Sequence, residues 1–166
     1  GPAALTSAMD RTELQGALHY GIVRNPHISG INNHMGSELT SNTRAMRWFM
    51  EELACHRLYF IDSRTTAATV AAKLAESNGI AHLSRDVFLD NSTEPAELEK
   101  QFKLWLQIAE QQGYAIAIAH PYKETLDFLE ARLNGVVRQG YQFAHPSEII
   151  HRQSLPPAQI ARNQTP

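Results

Sequence analysis

The sequence predicts an α/β fold in which parallel strands alternate with helices. Short apolar runs recur along the chain, and each is followed by a segment whose apolar residues have helical spacing. This alternation is typical of a parallel sheet covered by helices. Polar and titratable residues also follow every predicted strand. Ligand sites of parallel-sheet folds lie at the carboxyl ends of their strands, so we expect the site of this protein there.

The composition is that of a folded domain. The chain has 166 residues, of which 43% are hydrophobic and 19% charged, with a formal net charge of -2. No segment collects Lys and Arg, so nucleic acid is not expected as a partner. No apolar run reaches the roughly 20 residues that a membrane span needs. We expect one domain over residues 1–153 and a disordered tail over residues 154–166.

The first half of the chain predicts three helices and three strands. Asp10 and Glu13 have the spacing of a capping box, which marks the start of the first helix. Ser41 can cap the second helix, and the polar run 62–66 can cap the third. The predicted helices cover residues 11–20, 42–56 and 67–77, and the predicted strands cover residues 28–33, 58–61 and 80–83.

The second half predicts three further helices and two strands. Pro95 is accepted in the first turn of a helix, so it marks the start of the longest one, which Gly113 ends. The run 114–119 is apolar throughout, as expected of a strand covered on both faces, and it leads to His120. The remaining predicted elements are a helix that stops at Asn134–Gly135, a strand over residues 140–144 and a helix over residues 147–153.

The residues at the strand ends favour a barrel over an open sheet. They are Asn33 and His34, then Asp62, Ser63 and Arg64, then Arg85 and Asp86, then His120, and finally His145. A barrel gathers all its strand ends around one mouth, whereas an open sheet concentrates its site at one switch point. Five strand–helix units are too few for a barrel of seven or eight strands. We therefore expect either an open sheet or about two strands that precede Gly1.

Four motifs carry a resemblance to a known family. They are Asn32-Asn33-His34-Met35-Gly36-Ser37, Asp62-Ser63-Arg64-Thr65, Arg85-Asp86-Val87-Phe88-Leu89-Asp90-Asn91 and Ala117-Ile118-Ala119-His120-Pro121. In this order they resemble the divergent polysaccharide deacetylases of bacteria, which are relatives of the NodB-like carbohydrate esterases. The resemblance implies a distorted (β/α) barrel of about seven strands, with the first strands missing from this chain.

The resemblance also implies a function. The protein is expected to be a metal-dependent hydrolase that removes N-acetyl groups from envelope glycans, with zinc as the divalent ion and a periplasmic or otherwise exported location. The family's Ile-Asp-Asp-like motif supplies a metal-binding Asp and a general base, and it has no counterpart in this chain. His34 matches the first histidine of the family's His-x-x-x-His motif, but Glu38 stands at the second.

Two alternative functions remain open at this stage. One is a non-catalytic glycan-binding or envelope-assembly protein on the same fold, which the substitution at Glu38 favours. The other is an open α/β module that binds a phosphorylated ligand, although the chain lacks a glycine-rich phosphate loop. An exposed sheet edge would be expected to pair with the missing N-terminal segment or with a second copy.

The resemblance assigns the metal to two histidines. His34 is the expected ligand, with Asn33 as the partner that fixes its tautomer, and His120 is either a second ligand or a general acid. The structural alternatives are a capping or core role for His34 and a strand-end His120 held by turn backbone. The other histidines are expected to be surface or structural residues: His19, His27, His56, His82, His145 and His151.

The remaining candidate residues are charged or polar groups at strand ends. Arg85 and Asp86 are candidates for catalysis, because charges in apolar surroundings must be paired or face a ligand. Asp62 is a further candidate, because it could orient the substrate or tune a histidine. Ser37 and Arg64, together with Asn33, are candidates for substrate binding. The structural alternatives are a helix cap with a surface ion pair at residues 62–66 and a buried salt bridge between Arg85 and Asp86.

Overall fold

A computed structural model describes residues 4–154 of the chain. The chain divides after Ser84 into two compact units, each with its own hydrophobic core. The helices of the described part are α1 Arg11–Val23, α2 Ser37–Ser41, α3 Thr43–His56, α4 Ala71–Ser77, α5 Pro95–Gln112, α6 Lys123–Arg138 and α7 Pro146–Ser154. The strands are β1 Gly30–Asn32, β2 Tyr59–Asp62, β3 His82–Ser84, β4 Val87–Phe88 and β5 Ala117–Ile118.

The first unit contains a parallel sheet with the strand order β1-β2-β3. The register pairs Asn32 with Ile61 and Asp62 with Ser84, so the carboxyl ends of the three strands lie at one edge. Parallel neighbours need a crossover connection, and α3 and α4 supply the two connections. The polar residues that follow these strands are therefore brought together.

The core of the first unit is built from the apolar stripes that the sequence predicts. Leu14 and Leu18 of α1 and Met50 and Leu53 of α3 are buried in it. Phe60 of β2 is fully buried there too. Each such side chain contributes about 1.5–3 kcal/mol by leaving water. The predicted capping box is present as well, because Asp10 and Glu13 bond each other's backbone N–H groups.

The second unit pairs β4 with β5 in parallel and packs α5 against α6. Its core contains Leu98 and Phe102 of α5, and the ring of Phe102 meets the rings of Trp105 and Phe128 edge-on at 5.7 and 5.5 Å. The indole Nε1 of Trp105 donates a hydrogen bond to the carbonyl oxygen of Ala115 at 3.1 Å, which ties α5 to the segment that leads into β5.

The structure departs from the predicted elements at the start of α4, at the end of α6 and in strand β4. Helix α4 begins at Ala71 rather than beside the polar run 62–66, because the carboxylate of Asp62 bonds the turn instead of capping a helix. Helix α6 continues through Asn134–Gly135 to Arg138, since burial of Val136 in the core outweighs the roughly 1 kcal/mol that a helical glycine costs. Strand β4 was not expected from the sequence.

The predicted strand over residues 140–144 is absent. No neighbouring strand pairs with this segment among the described residues, and the side chain of Phe143 is exposed. The hydroxyl of Tyr141 donates instead to the carboxylate of Glu110, and this hydrogen bond raises the pKa of Tyr141. A strand without a ladder partner has no backbone bonds to hold it, so the segment stays irregular.

The described part of the chain is α/β with short parallel strands, and its strands form no closed barrel. Helix α7 agrees with the predicted last helix and includes Ser154. The rest of the predicted disordered tail lies outside the described residues. The single domain over residues 1–153 stays a prediction. None of the helices within residues 4–154 combines the length and the apolar character that crossing a bilayer requires.

Gly30→Ala is expected to destabilise the protein by about 1–3 kcal/mol. A Cβ atom at this position would lie 2.2 Å from the ring of Tyr59 on the neighbouring strand, so the ring would have to move. Urea denaturation followed by circular dichroism measures the change.

Gly16→Ala is the matched control, because it lies in α1 with no atom within 4 Å of its Cβ position and should stabilise by about 0.5–1 kcal/mol. In a Tyr59→Ala background the cost of Gly30→Ala should shrink. An undiminished cost there would show that the ring is not the obstacle.

Candidate active site

In the first unit, Asn33 joins the two loops that follow β1 and β2. Its side-chain Oδ1 accepts a hydrogen bond from the backbone N–H of Ser63 at 2.8 Å. Its Nδ2 donates to the carbonyl oxygen of Met35 at 3.1 Å. Met35 and Gly36 follow with φ values of 56° and 76°, a left-handed turn that Gly36 adopts without a Cβ clash. Asn33 therefore shapes the loop with both ends of its amide.

Ser37 contributes to the same junction. Its hydroxyl lies 3.3 Å from the carbonyl oxygen of Thr65 and 3.2 Å from the Thr65 hydroxyl. The Thr65 hydroxyl in turn donates to the carbonyl oxygen of Met35 at 3.1 Å. Ser37 is exposed, so its hydroxyl lies at a surface where a ligand can reach it.

Asp62 is fully buried at the end of β2. One carboxylate oxygen accepts from the backbone N–H of Arg64 at 2.8 Å, and the other accepts from the hydroxyl of Thr69 at 3.0 Å. Arg64 has a φ of 48°, and this hydrogen bond supports that left-handed conformation. Asp62 therefore positions the loop that carries Arg64.

His34 is exposed on the loop between β1 and α2. The predicted bond from Asn33 to His34 is absent, because both ends of that amide bind elsewhere. Glu38 accepts a hydrogen bond from the hydroxyl of Ser7. Within the described part of the first unit, His34 belongs to no group of three potential metal ligands. A metal ion bound by His34 would therefore need further ligands beyond this part of the first unit.

In the second unit, the buried carboxylate of Asp90 holds His120. One carboxylate oxygen lies 3.1 Å from the imidazole Nδ1. The other accepts from the backbone N–H of His120 at 2.6 Å and from the hydroxyl of Thr125 at 3.0 Å. The side chain of Asp90 is 0% exposed, whereas that of His120 is 36% exposed. The buried acid thus holds the Nδ1 edge of an imidazole that solvent can reach.

Two aromatic rings lie next to the imidazole of His120. The ring of Phe88 lies 5.3 Å from that of His120, and the ring of Tyr122 lies 5.0 Å from it, centroid to centroid. The guanidinium of Arg85 stacks over Phe88 at 5.1 Å. Asp86 accepts a hydrogen bond from the backbone N–H of Ile116 at 2.7 Å, which ties the start of β4 to β5.

A different group of side chains in the first unit could hold a metal ion. His19 of α1 and Glu52 and His56 of α3 place one ligand atom each within 4.8 Å of one another. Among the described residues, these three side chains form the group of potential metal ligands whose ligand atoms lie close enough to share one ion. It is not at the carboxyl ends of the strands.

A family model for divergent polysaccharide deacetylases matches residues 1–150, nearly the whole chain. The chain belongs to the divergent polysaccharide deacetylase family. The resemblance carried by the four motifs is therefore confirmed. Membership does not by itself assign an activity.

Two similar proteins are described as uncharacterized. One from Haemophilus influenzae is 42% identical over 107 residues, which is 64% of this chain and 38% of the relative. YibQ of Escherichia coli is 36% identical over 126 residues, which is 76% of this chain and 40% of YibQ. The chain thus spans about two fifths of the length of the curated relatives it matches.

A crystal structure of an uncharacterized protein from Agrobacterium tumefaciens has a similar fold. It superimposes with a TM-score of 0.78 at 19% identity, over 84% of this chain and 56% of that protein. A likeness at this identity shows the fold alone.

Sequence reasoning missed two members of the second-unit site. Asp90 lies in the third of the four motifs. It is an acid directly after the apolar run Val87–Leu89, so it could have been identified as a strand-end candidate. Thr125 lies beyond Pro121 and gave no signal, because only the turn after β5 brings it to Asp90. The roles predicted for His34, Asp62, Arg85 and the other candidates stay predictions.

Asn33→Ala is expected to lower the free energy of unfolding by about 1–3 kcal/mol, because it leaves the backbone N–H of Ser63 without this acceptor. Ser63 is only 3% exposed, so water does not easily replace the lost bond. Chemical denaturation measures the change. Asn25→Ala is the control, since its amide bonds an exposed carbonyl and should cost less than about 0.5 kcal/mol. Equal costs for the two variants would contradict a structural role of Asn33.

Proposed function

We propose that this protein is a carbohydrate N-deacetylase of the envelope, with His120 as the general acid. The observation that carries the proposal is the buried Asp90 carboxylate bound to Nδ1 of His120. A carboxylate in this position selects one imidazole tautomer and one ring orientation. Membership of the deacetylase family supports the reaction class.

His120 has the features that a general acid needs. With Nδ1–H donated to Asp90, the other ring nitrogen, Nε2, lies on the far side of the imidazole from the carboxylate. In amide hydrolysis water adds to the acetyl carbonyl, the C–N bond breaks, and the leaving amine must take up a proton. Nε2 of a protonated His120 would deliver that proton and be left neutral.

The surroundings of His120 suit a sugar. The aromatic rings of Phe88 and Tyr122 lie beside His120, and Tyr122 is 48% exposed. Ring faces bind the apolar C–H faces of sugars, and the Tyr122 hydroxyl can bond sugar hydroxyls. Arg85 beside Phe88 offers a cation near the same surface. We propose that Arg85 and Asp86 orient the substrate around His120.

The proposed metal is a divalent ion, with zinc as the first choice, and His34 would be one of its ligands. Bound zinc polarises an acyl oxygen and activates water in hydrolases of this kind. The described residues around His34 do not make a complete donor set, so no step is derived through the ion. Asn33, Ser37, Arg64 and Asp62 would then shape and line the loop edge beside His34.

The fine architecture and the location belong to the same proposal. We propose a NodB-like (β/α) barrel of about seven strands for the whole domain and a periplasmic location. The parallel strands and the fold shared with the Agrobacterium protein support the architecture. N-acetylated glycans are the partners that such a protein would meet in the envelope.

The second candidate function is glycan binding without catalysis. The exposed His34, with no group of three ligands around it in the described part of the first unit, favours it. The same aromatic rings beside His120 would serve a binding protein equally well. Association with an N-terminal segment or with a second copy is an additional proposal for either function.

His120→Ala and Asp90→Asn are each expected to lower kcat for deacetylation by about 10²–10⁴-fold. The first variant removes the acid, and the second weakens the group that orients it. The measurement is acetate release from oligomers of N-acetylglucosamine, with zinc supplied. His151→Ala is the matched control, because His151 is exposed on α7 and should leave kcat unchanged.

The assay separates the two candidate functions. Acetate release that depends on His120 supports the hydrolase. Binding of the oligomers by calorimetry without any acetate release would contradict the hydrolase and favour the binding protein. Activity that survives His120→Ala would show that this histidine is not the acid.

A further inference from the structure

We propose that His19, Glu52 and His56 form a binding site for a divalent transition-metal ion of the zinc class, which joins α1 to α3. The site is separate from the proposed sugar site and does not depend on the deacetylase proposal. Glu52 and His56 are four residues apart on α3, so they lie on the same helical face. His19 reaches them from α1.

The three ligand atoms have the spacing that one ion needs. Nδ1 of His19 lies 3.0 Å from Oε1 of Glu52, Nε2 of His56 lies 2.9 Å from the same oxygen, and the two nitrogens are 3.2 Å apart. Zinc binds imidazole nitrogen and carboxylate oxygen at about 2.0–2.2 Å. An ion about 1 Å above the plane of this triangle would be within that distance of all three atoms.

Hydrogen bonds alone satisfy this triangle poorly. If both imidazoles donate to Glu52, two N–H groups face each other across 3.2 Å. If one nitrogen is unprotonated, its lone pair faces the carboxylate oxygen at about 3 Å instead. With Glu52 ionised, either arrangement of protons leaves one unfavourable contact. A cation removes the conflict, because all three atoms can then direct a lone pair towards it.

The position of the site also favours a cation. Glu52 and His56 lie in the last turns of α3, and His19 lies in the last turns of α1, which ends at Val23. The carboxyl-terminal end of a helix carries the negative end of its dipole. At His56, the last residue of α3, this negative end adds to the attraction of the Glu52 carboxylate.

The side chains of the three proposed ligands differ in their exposure to solvent. The side chain of Glu52 is 16% exposed and that of His56 is 25% exposed, whereas that of His19 is 56% exposed. The two α3 ligands are thus held by their surroundings, and solvent can deliver the ion past His19. Two imidazoles and one carboxylate match zinc and its neighbours rather than calcium or magnesium, which prefer oxygen ligands.

The site lies at the opposite end of the first-unit sheet from the loops that carry His34. Helix α3 ends at His56, and β2 begins at Tyr59 and runs to Asp62. The site is therefore beside the amino end of β2, about 10 Å along the strand from its carboxyl end. A metal ion here would link α1 to α3, and it would not contact a substrate bound at the carboxyl ends of the strands.

Zinc titration by calorimetry tests the site on the metal-stripped protein. The titration uses the His34→Ala variant, which lacks the ligand proposed for the active-site ion. We expect one equivalent of zinc to bind to it, and excess zinc at about 100 times Kd to raise Tm by about 5 °C or more. His19→Gln and His56→Gln should each weaken binding by about 100-fold or more, because they remove a direct ligand. His19→Gln is the decisive variant, since this side chain is largely exposed and its loss should not prevent folding.

Two controls separate this site from other zinc sites. His27→Gln changes an exposed histidine of the same unit and should bind zinc as the unchanged protein does. The His34→Ala background removes the zinc ligand of the deacetylase proposal, so failure of that proposal would not affect the result. Absence of zinc binding, or binding that survives in both His19→Gln and His56→Gln, would overturn the proposal. Circular dichroism without zinc confirms that each variant is folded.

Discussion

Parallel pairing of short strands is the constraint on which the rest of this protein depends. Neighbouring parallel strands cannot be joined by a tight turn, so a helix must connect them. The connecting helices bring the apolar stripes that bury the strands, as α3 does with Met50 and Leu53. In the first unit the same pairing brings the carboxyl ends of β1, β2 and β3 to one edge, where the backbone groups beyond the strands need new hydrogen-bond partners.

Buried aspartates supply those partners in both units. Asp62 accepts hydrogen bonds from the backbone of its own turn and from the hydroxyl of Thr69. Asp90 accepts from the backbone of the next strand end and from the hydroxyl of Thr125. A buried carboxylate is costly unless several donors surround it, so each aspartate fixes the loops that enclose it. The enclosed group at Asp90 includes the ring of His120, so a carboxylate that stabilises the loops also orients a side chain capable of acid–base chemistry.

The two ends of the first-unit sheet have different characters. At the carboxyl end, amides and hydroxyls of Asn33, Ser37 and Thr65 tie the loops to one another. At the amino end of β2, two helix ends present imidazoles and a carboxylate. The first arrangement leaves polar surface for a ligand with many hydroxyl groups, and the second concentrates electron-pair donors on one point.

Sequence patterns were sufficient where the governing interaction is local. The capping box at Asp10 and Glu13, the helix start at Pro95 and the apolar stripes of α1, α3 and α5 depend on residues a few positions apart, and all are present. The run 140–144 has strand-like residues, yet it is irregular because a strand also needs a neighbour. Likewise, α6 passes the Asn134–Gly135 stop signal because Val136 is buried in the core.

By itself, the sequence determined the α/β class, the polar strand ends and the deacetylase family, since order and spacing along the chain carry all three. Only the tertiary structure decided which of those polar residues meet. It placed Asp90 against His120, 30 residues away, and against Thr125, 35 residues away, and it brought His19 to Glu52 of a helix 33 residues away. Such contacts follow from the parallel register and from helix packing. The order of residues along the chain does not by itself give the distance between two helices or strands.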